Sequence, residues 1–182
     1  MGIIFLDVGA NNGNTFDLFL AKTDQYNGAK VFCFEPSPRH WPRLLQMADH
    51  YRNQYDITLC PFGLGCWEGY LPFYEKEEPS GDSFIKDYFV NAGTRKLLCH
   101  TADAAQFINL TVMQPGDRLH VKLDCEGGEY FIIPSLLGNS VVWNSIDRLL
   151  VEFHEGEPTP GEAQRLTNEC AKRGRPVEPW TL

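Results

Sequence analysis

Short apolar runs, each closed by small or polar residues, recur along this chain and set its predicted architecture. Ile3 to Leu6 reads as a buried strand, and the Gly9-Ala10-Asn11-Asn12-Gly13-Asn14 cluster behind it leads into a helix predicted over Thr15 to Leu20. A turn at Asn27-Gly28 precedes a second strand, Val31 to Glu35. Ser37-Pro38 reads as a helix start, with serine as N-cap, and Trp41, Leu44, Leu45, Ala48 and Tyr51 follow at helical spacing as its buried face. Asp56 to Cys60 is a third strand. Phe62 to Tyr74 places two apolar arms about Trp67-Glu68-Gly69 and predicts a hairpin.

From Glu75 to Lys96 the chain turns polar, which fits either a lid beside a ligand edge or a plain surface insertion. Leu97 to His100 predicts a short edge strand, Thr101 a cap for a brief helix over Ala102 to Ile108, and Gln114 to Asp117 a turn. Leu119 to Asp124 is a further strand, passing through Cys125 to Glu129 into a helix that reaches Leu137. Ile146 to Phe153 is the last clear strand, Gly161 to Arg173 the last helix, and a tail with Pro176, Pro179 and Trp180 follows. Strands alternating with helices predict one α/β domain over residues 1–182, with a mostly parallel sheet and helices on both faces.

Composition narrows the classes. A chain of 182 residues can bury a substantial core, and no apolar run approaches the eighteen or so residues of a membrane span. Ile3 to Leu6 is too short, and lacks the basic flank, for a secretion signal, so an intracellular, cytoplasmic protein is expected. Six cysteines without a C-x-x-C pair predict reduced thiols. The formal charge of −8 argues against a nucleic-acid partner, and the basic residues near 165–175 read as a solvated helix face.

The candidate chemistry lies where strands end in acids. In a parallel sheet these ends share one edge, so Asp7, Glu35, Asp124 and the Glu152/His154 pair converge on one cleft. The glycines at 9 and 13 do not reproduce the G-x-G-x-x-G of a dinucleotide site. An aspartate two residues ahead of Gly9 would also repel a pyrophosphate, by roughly 1 to 3 kcal/mol for unit charges about 5 Å apart. The same carboxylate suits a ligand that carries an ammonium and a sulfonium, as S-adenosylmethionine does. Glu35, a little over twenty residues beyond the loop, stands where an acid accepts hydrogen bonds from ribose hydroxyls. The competing reading makes Asp7 a turn cap and Glu35 a solvated strand end. For methyl transfer, Asp124 is the first candidate beside the reacting atoms and His154 the general base suited to neutral pH. Asp124, Glu126, Glu152 and His154 also form a conceivable divalent-ion set, but lack a recognisable ligand pattern, so no metal is assigned.

Leu6 to Gly13, Phe34 to Pro38, Phe62 to Gly65, Lys122 to Glu129 with its K-x-D-x-E-G-x-E pattern, and Leu150 to His154 occur in the order that marks the FkbM-like S-adenosylmethionine-dependent methyltransferases. The chain resembles that family from about residue 3 to 155. The resemblance implies a Rossmann-like methyltransferase fold and methylation of a hydroxyl on a sugar, polyketide, glycan or other small molecule. By matching position it implies that Asp7, Gly9, Asn11, Asn12 and Gly13 hold the methionine part, Glu35 the ribose, and Pro36, Phe62 and Gly63 the adenine surroundings. Asp124 would stand near the methyl, with Glu126 and Lys122 beside it. Compared with that family the chain looks truncated at both ends. Leading helices are missing, and there is room for at most one of two closing antiparallel strands, so a homo-oligomer or a completing partner is one expectation. Two alternatives stay open, an RNA ribose 2′-O-methyltransferase hinted at by Lys122 beside Asp124, and a nucleoside-binding or scaffolding domain without turnover. An NAD-dependent oxidoreductase is the remaining reading and fits the glycine spacing poorly.

Overall fold

Alternation along the first strand decides how the molecule is layered. The computed structural model describes residues 2–76, 81–85, 94–154 and 158–180. Strand β1 (Ile3–Val8) sends Ile4, Leu6 and Val8 into one apolar core and Phe5 into another, because successive strand side chains point to opposite faces. Asp7 therefore shares the face of Phe5.

In chain order there follow α1 (Asn14–Leu18), β2 (Lys30–Phe34), α2 (Trp41–Tyr51), β3 (Asp56–Cys60), β4 (Gly63–Gly65), β5 (Gly69–Glu75) and β6 (Arg95–Asp103). Then come α3 (Ala104–Phe107), β7 (Arg118–Leu123), α4 (Glu129–Gly138), α5 (Ser140–Ser145), β8 (Ile146–Val151), α6 (Glu162–Lys172) and β9 (Val177–Pro179). Six strands form a parallel sheet in the order β3-β2-β1-β7-β8-β9. One core packs Leu119, Val121 and Leu123 of β7 under Ile133 and Leu136 of α4, Trp143 of α5 and Leu166 of α6. The other packs Phe5 and Val31 under Phe16 of α1 and Leu44 and Met47 of α2. This is a doubly wound, Rossmann-like α/β sheet. Its order reverses at β1, which places a crevice beyond the carboxyl ends of β1, β2 and β7.

Several expectations change. The helix predicted over Thr15 to Leu20 is the short α1, followed by single 3₁₀ turns at Leu20–Lys22 and Asp24–Tyr26. α2 begins at Trp41 with His40 before it, and Ser37 is not its cap. Its buried residues are Leu44, Met47 and Tyr51, an i, i+3, i+7 stripe, and Leu45 falls off that stripe and is 58% exposed. The predicted hairpin does not form. β6 lies between β4 and β5, parallel to the first and antiparallel to the second, as the centre of a separate three-stranded sheet. Local proximity pointed to a hairpin, but β4 is three residues long and a nine-residue partner pairs along both arms. Leu97 to His100, the expected edge strand, pair with β5 alone, and they continue into Thr101–Asp103, which pair with β4.

The helix after β6 is capped by Asp103, whose carboxylate accepts from the Gln106 N–H at 2.8 Å; Thr101 lies inside the strand and donates to the Gly69 carbonyl instead. A π-type turn at Ile108–Val112 follows. β8 stops at Val151, so Glu152 and His154 follow the strand rather than alternate within it. β9 pairs parallel with β8, and so is not one of the antiparallel closing strands for which the resemblance left room for at most one. α6 carries the chain back across the sheet, and a crossover of that kind returns the next strand in the same direction. The predicted polar insertion, 75–96, is described only at 75, 76, 81–85 and 94–96. No helix among the described residues is long and apolar enough to cross a membrane.

Candidate functional site

The loop after β1 meets the loop after β7 at backbone distance. Gly9 has φ 77°, and a Cβ there would lie 1.9 Å from the Asp124 carbonyl oxygen. Only glycine permits this approach. Among the described residues two non-glycines have positive φ, Asn11 (48°) and Glu126 (52°), one in each of these loops. Each such conformation costs of order 1 kcal/mol, and strain of this kind clusters at ligand sites. Both residues line a cavity together with Gly9, Glu35, Pro36 and Gly63.

Glu35 is nearly fully buried and organises this cavity. One carboxylate oxygen accepts from the Asn11 N–H at 2.8 Å, the other from the Ser37 N–H at 2.7 Å. Burial pushes the Glu35 carboxyl upward, against the opposing pull of the Ser37 N–H, His40 and the Asn11 N–H. The loop's own donors are turned inward. Gly9 and Ala10 N–H both donate to the Phe34 carbonyl, at 3.0 and 3.1 Å, and Gly13 N–H donates to the Ala10 carbonyl at 2.8 Å. α1 is five residues long, too short to offer a substantial helix dipole.

A roof formed by 81–85 crosses the opening. Asp82 pairs with Arg39, accepts from the Lys76 N–H at 2.9 Å and lies 3.3 Å from His40 Nε2. The other His40 nitrogen is 3.0 Å from the Asn12 side-chain oxygen. Ser83 Oγ donates to the Glu126 carbonyl at 2.7 Å. Phe84 sits directly on Gly63, where an added Cβ would come within 2.5 Å of its ring. With Phe84 seated the cavity encloses about 90 Å³, below the roughly 300 Å³ at the small end of ligand pockets. The carboxylates suit a cationic nucleoside, and Phe84 occupies part of the space that one would need.

Asp7 and Lys122 face each other in the β1–β7 register and are shut off from this cavity. Their side chains are 0% and 2% exposed, with Nζ 3.0 Å from Asp7 Oδ1. Nζ also donates to the Gly9 carbonyl at 2.8 Å and stands 3.4 Å from Asp124. Burial opposes the charge on Lys122, but Asp7 and Asp124 outweigh it and hold the ammonium protonated. The positive partner that the sequence reading sought for Asp7 in a ligand is thus supplied by the chain itself. Lys122 also lies beneath Trp180, 5.7 Å from its ring centroid, out of reach of a ribose hydroxyl.

Beyond β7 and β8 the acids gather around His154. Nδ1 is 3.0 Å from Glu129, and Nε2 is 3.6 Å from both Asp124 and Glu126. Burial disfavours the charged ring, but the Glu129 hydrogen bond and the charges of Glu129, Glu126 and Asp124 prevail and raise His154 to about 9. At neutral pH it is a cation bridging three carboxylates. The ion cluster favours the charged ring, where the sequence reading expected a neutral general base. Asp124, Glu152 and His154 also bring one donor atom each within 4.8 Å of one another, a spacing a divalent ion could use only by displacing the imidazolium proton.

Of the remaining expected site residues, Gly13 packs against Met47, and Phe62 does not line the cavity but packs against Phe34 and Phe107. Glu129, His40, Asp82 and Phe84 were not assigned roles from the sequence. Only Glu129 had a signal, the last position of the K-x-D-x-E-G-x-E pattern, and it ties the two loops by also accepting from the Cys125 N–H at 2.8 Å. Comparison with models of protein families, with curated proteins and with solved structures gives no match for this chain.

Proposed function

We propose that the chain is an S-adenosylmethionine-dependent methyltransferase, of the kind its FkbM-like motifs resemble, that methylates a hydroxyl of a small-molecule or carbohydrate acceptor. The observation that carries this reading is the buried Glu35 carboxylate in the cavity wall. Asp82, Asp124 and Glu126 line the same space in ion pairs with Arg39, Lys122 and His154, and the N–H groups of Gly9, Ala10, Asn11 and Gly13, which a pyrophosphate would need, donate to the chain's own oxygens. Such a wall favours a nucleoside with a cationic tail over a dinucleotide. Glu35 keeps lone pairs for ribose hydroxyls while the Asn11 and Ser37 N–H groups hold it in place. Asp124, held between Lys122 and His154, is the carboxylate placed to take the acceptor's proton, with Glu126 beside it. The bound cofactor supplies the electrophilic methyl.

A second reading, nucleoside binding without turnover, draws on the ion-paired state of Lys122 and His154, which leaves neither ready to take a proton at neutral pH. The RNA alternative is disfavoured because Lys122, its one hint, is buried.

Calorimetry with S-adenosylhomocysteine and with NAD tests the nucleoside. The expected result is micromolar binding of the first and none of the second. Binding of NAD, or no binding of S-adenosylhomocysteine at high micromolar concentration, would sink the proposal. Incubating a cell metabolite extract with methyl-labelled cofactor separates enzyme from binding domain, since only an enzyme leaves label on an acceptor.

A further inference from the structure

A second cavity adjoins the first. It encloses about 290 Å³, and Leu64, Phe84, Cys125 and Gly128 line both spaces. Phe84 therefore stands as a partition between a polar chamber and this one. The new chamber has a different chemistry. Among the described residues no charged side chain lines it, and Trp67, Tyr74, Phe84 and Phe131 present four aromatic rings. Trp67 and Phe131 lie with centroids 5.0 Å apart and planes tilted by 41°, and Trp67 is 46% exposed at the rim. The Thr101 hydroxyl, the most buried polar group there, already donates to the Gly69 carbonyl at 3.3 Å.

We infer that this chamber is the acceptor site and that the acceptor is a hydroxylated aromatic compound with one or two rings, not a sugar. The inference rests on the methyltransferase reading and narrows its substrate class. A sugar ring would bring several hydroxyls into a wall with few free partners, and each unpaired buried hydroxyl costs roughly 1–3 kcal/mol. A planar aromatic body buries its faces against Trp67 and Phe131, the rings suited to offset or edge contact. Its hydroxyl points across the shared wall of Cys125 and Gly128 toward Asp124. There the acceptor oxygen forms a bond to the methyl carbon as the carbon–sulfur bond breaks. The bonding pair goes to sulfur, the sulfonium becomes a neutral thioether, and the hydroxyl proton passes to the Asp124 carboxylate. A phenolic proton, with an ordinary pKa near 10, leaves far more readily than that of an aliphatic alcohol.

The test uses the full chain, first titrated with S-adenosylhomocysteine and then, at saturation, with 2-naphthol or with methyl glucoside, in the wild type, Trp67→Ala and Trp67→Phe. The expected result is 2-naphthol binding at least tenfold tighter than methyl glucoside, weakened at least tenfold by Trp67→Ala and restored by Trp67→Phe, with S-adenosylhomocysteine affinity unchanged throughout. Methyl-labelled cofactor should then mark 2-naphthol. If S-adenosylhomocysteine binds but 2-naphthol does not, or binds equally to Trp67→Ala, the acceptor assignment is overturned while the cofactor reading survives. Failure of S-adenosylhomocysteine itself to bind removes both.

Discussion

Replacing Lys122 by methionine should strand the most deeply buried carboxylate in the protein's central sheet. Asp7 is 0% exposed, and among the described residues its cationic neighbour is the Lys122 ammonium at 3.0 Å. Methionine is close to lysine in length, so packing under Trp180 is largely kept and the loss is electrostatic. Removing one partner of a buried ion pair costs about 3–5 kcal/mol, because the remaining charge has neither water nor counterion. For a chain of this size each kcal/mol moves the melting temperature by roughly 2–4 °C, so a fall on the order of 10 °C is expected. The double variant Asp7→Asn/Lys122→Met removes both charges and should recover most of it. Urea unfolding followed by circular dichroism measures both steps. A single variant within about 1 kcal/mol of wild type, or a double variant no better than the single, would refute the view that Lys122 serves as Asp7's internal counterion. If the double variant folds yet transfers no methyl while still binding cofactor, Lys122 has a catalytic duty that its burial argues against.

Three further outcomes follow from the same geometry. Gly9→Ala and Gly28→Ala share φ 77°, but a Cβ at Gly9 would meet the Asp124 carbonyl at 1.9 Å while one at Gly28 meets nothing within 4 Å. Gly28→Ala should lose only about 1–2 kcal/mol for the left-handed backbone, and Gly9→Ala much more, with loss of S-adenosylhomocysteine binding; equal losses on thermal melting would remove the close-approach argument. Because His154 is raised from 6.5 to about 9, its stabilisation is complete below about pH 6.5 and disappears as pH rises through 9. The stability gap between wild type and His154→Gln should therefore be widest near pH 6 and close by pH 10, and a gap that does not change with pH would contradict the assigned ion cluster. Glu35→Gln sets an amide N–H against one of the two backbone donors that now point at the carboxylate, a mismatch of roughly 1–3 kcal/mol. Calorimetry should show S-adenosylhomocysteine affinity falling on the order of tenfold, and unchanged affinity would place the ribose elsewhere.

Much of the main sheet could be read from the sequence because each strand is a short apolar run bounded by turn residues, a local signal that survives without tertiary information. The convergence of Glu35, Asp124 and the Gly9 loop also followed from sequence, since strand-end acids in a parallel sheet must share an edge. What the sequence could not carry was anything that depends on which face or which distant strand a residue meets. Asp7 was assigned to a ligand, yet alternation turns it to the face where Lys122 sits opposite in register. β4 and β5 were paired by proximity, yet β6, more than twenty residues on, separates them. His154 was given the titration of an isolated imidazole, whereas three carboxylates of the distant segment Asp124–Glu129 surround it only in the folded chain. The polar stretch from Glu75 fitted a lid or a plain surface insertion equally well, and it is the contacts of 81–85 with Arg39, His40 and Glu126 that set that part over the cavity. Periodicity along the chain thus determined which elements form and what chemistry stands at their ends. Charge compensation, pKa and cavity shape were decided by tertiary packing, because those properties belong to neighbours in space and leave no trace in residue order.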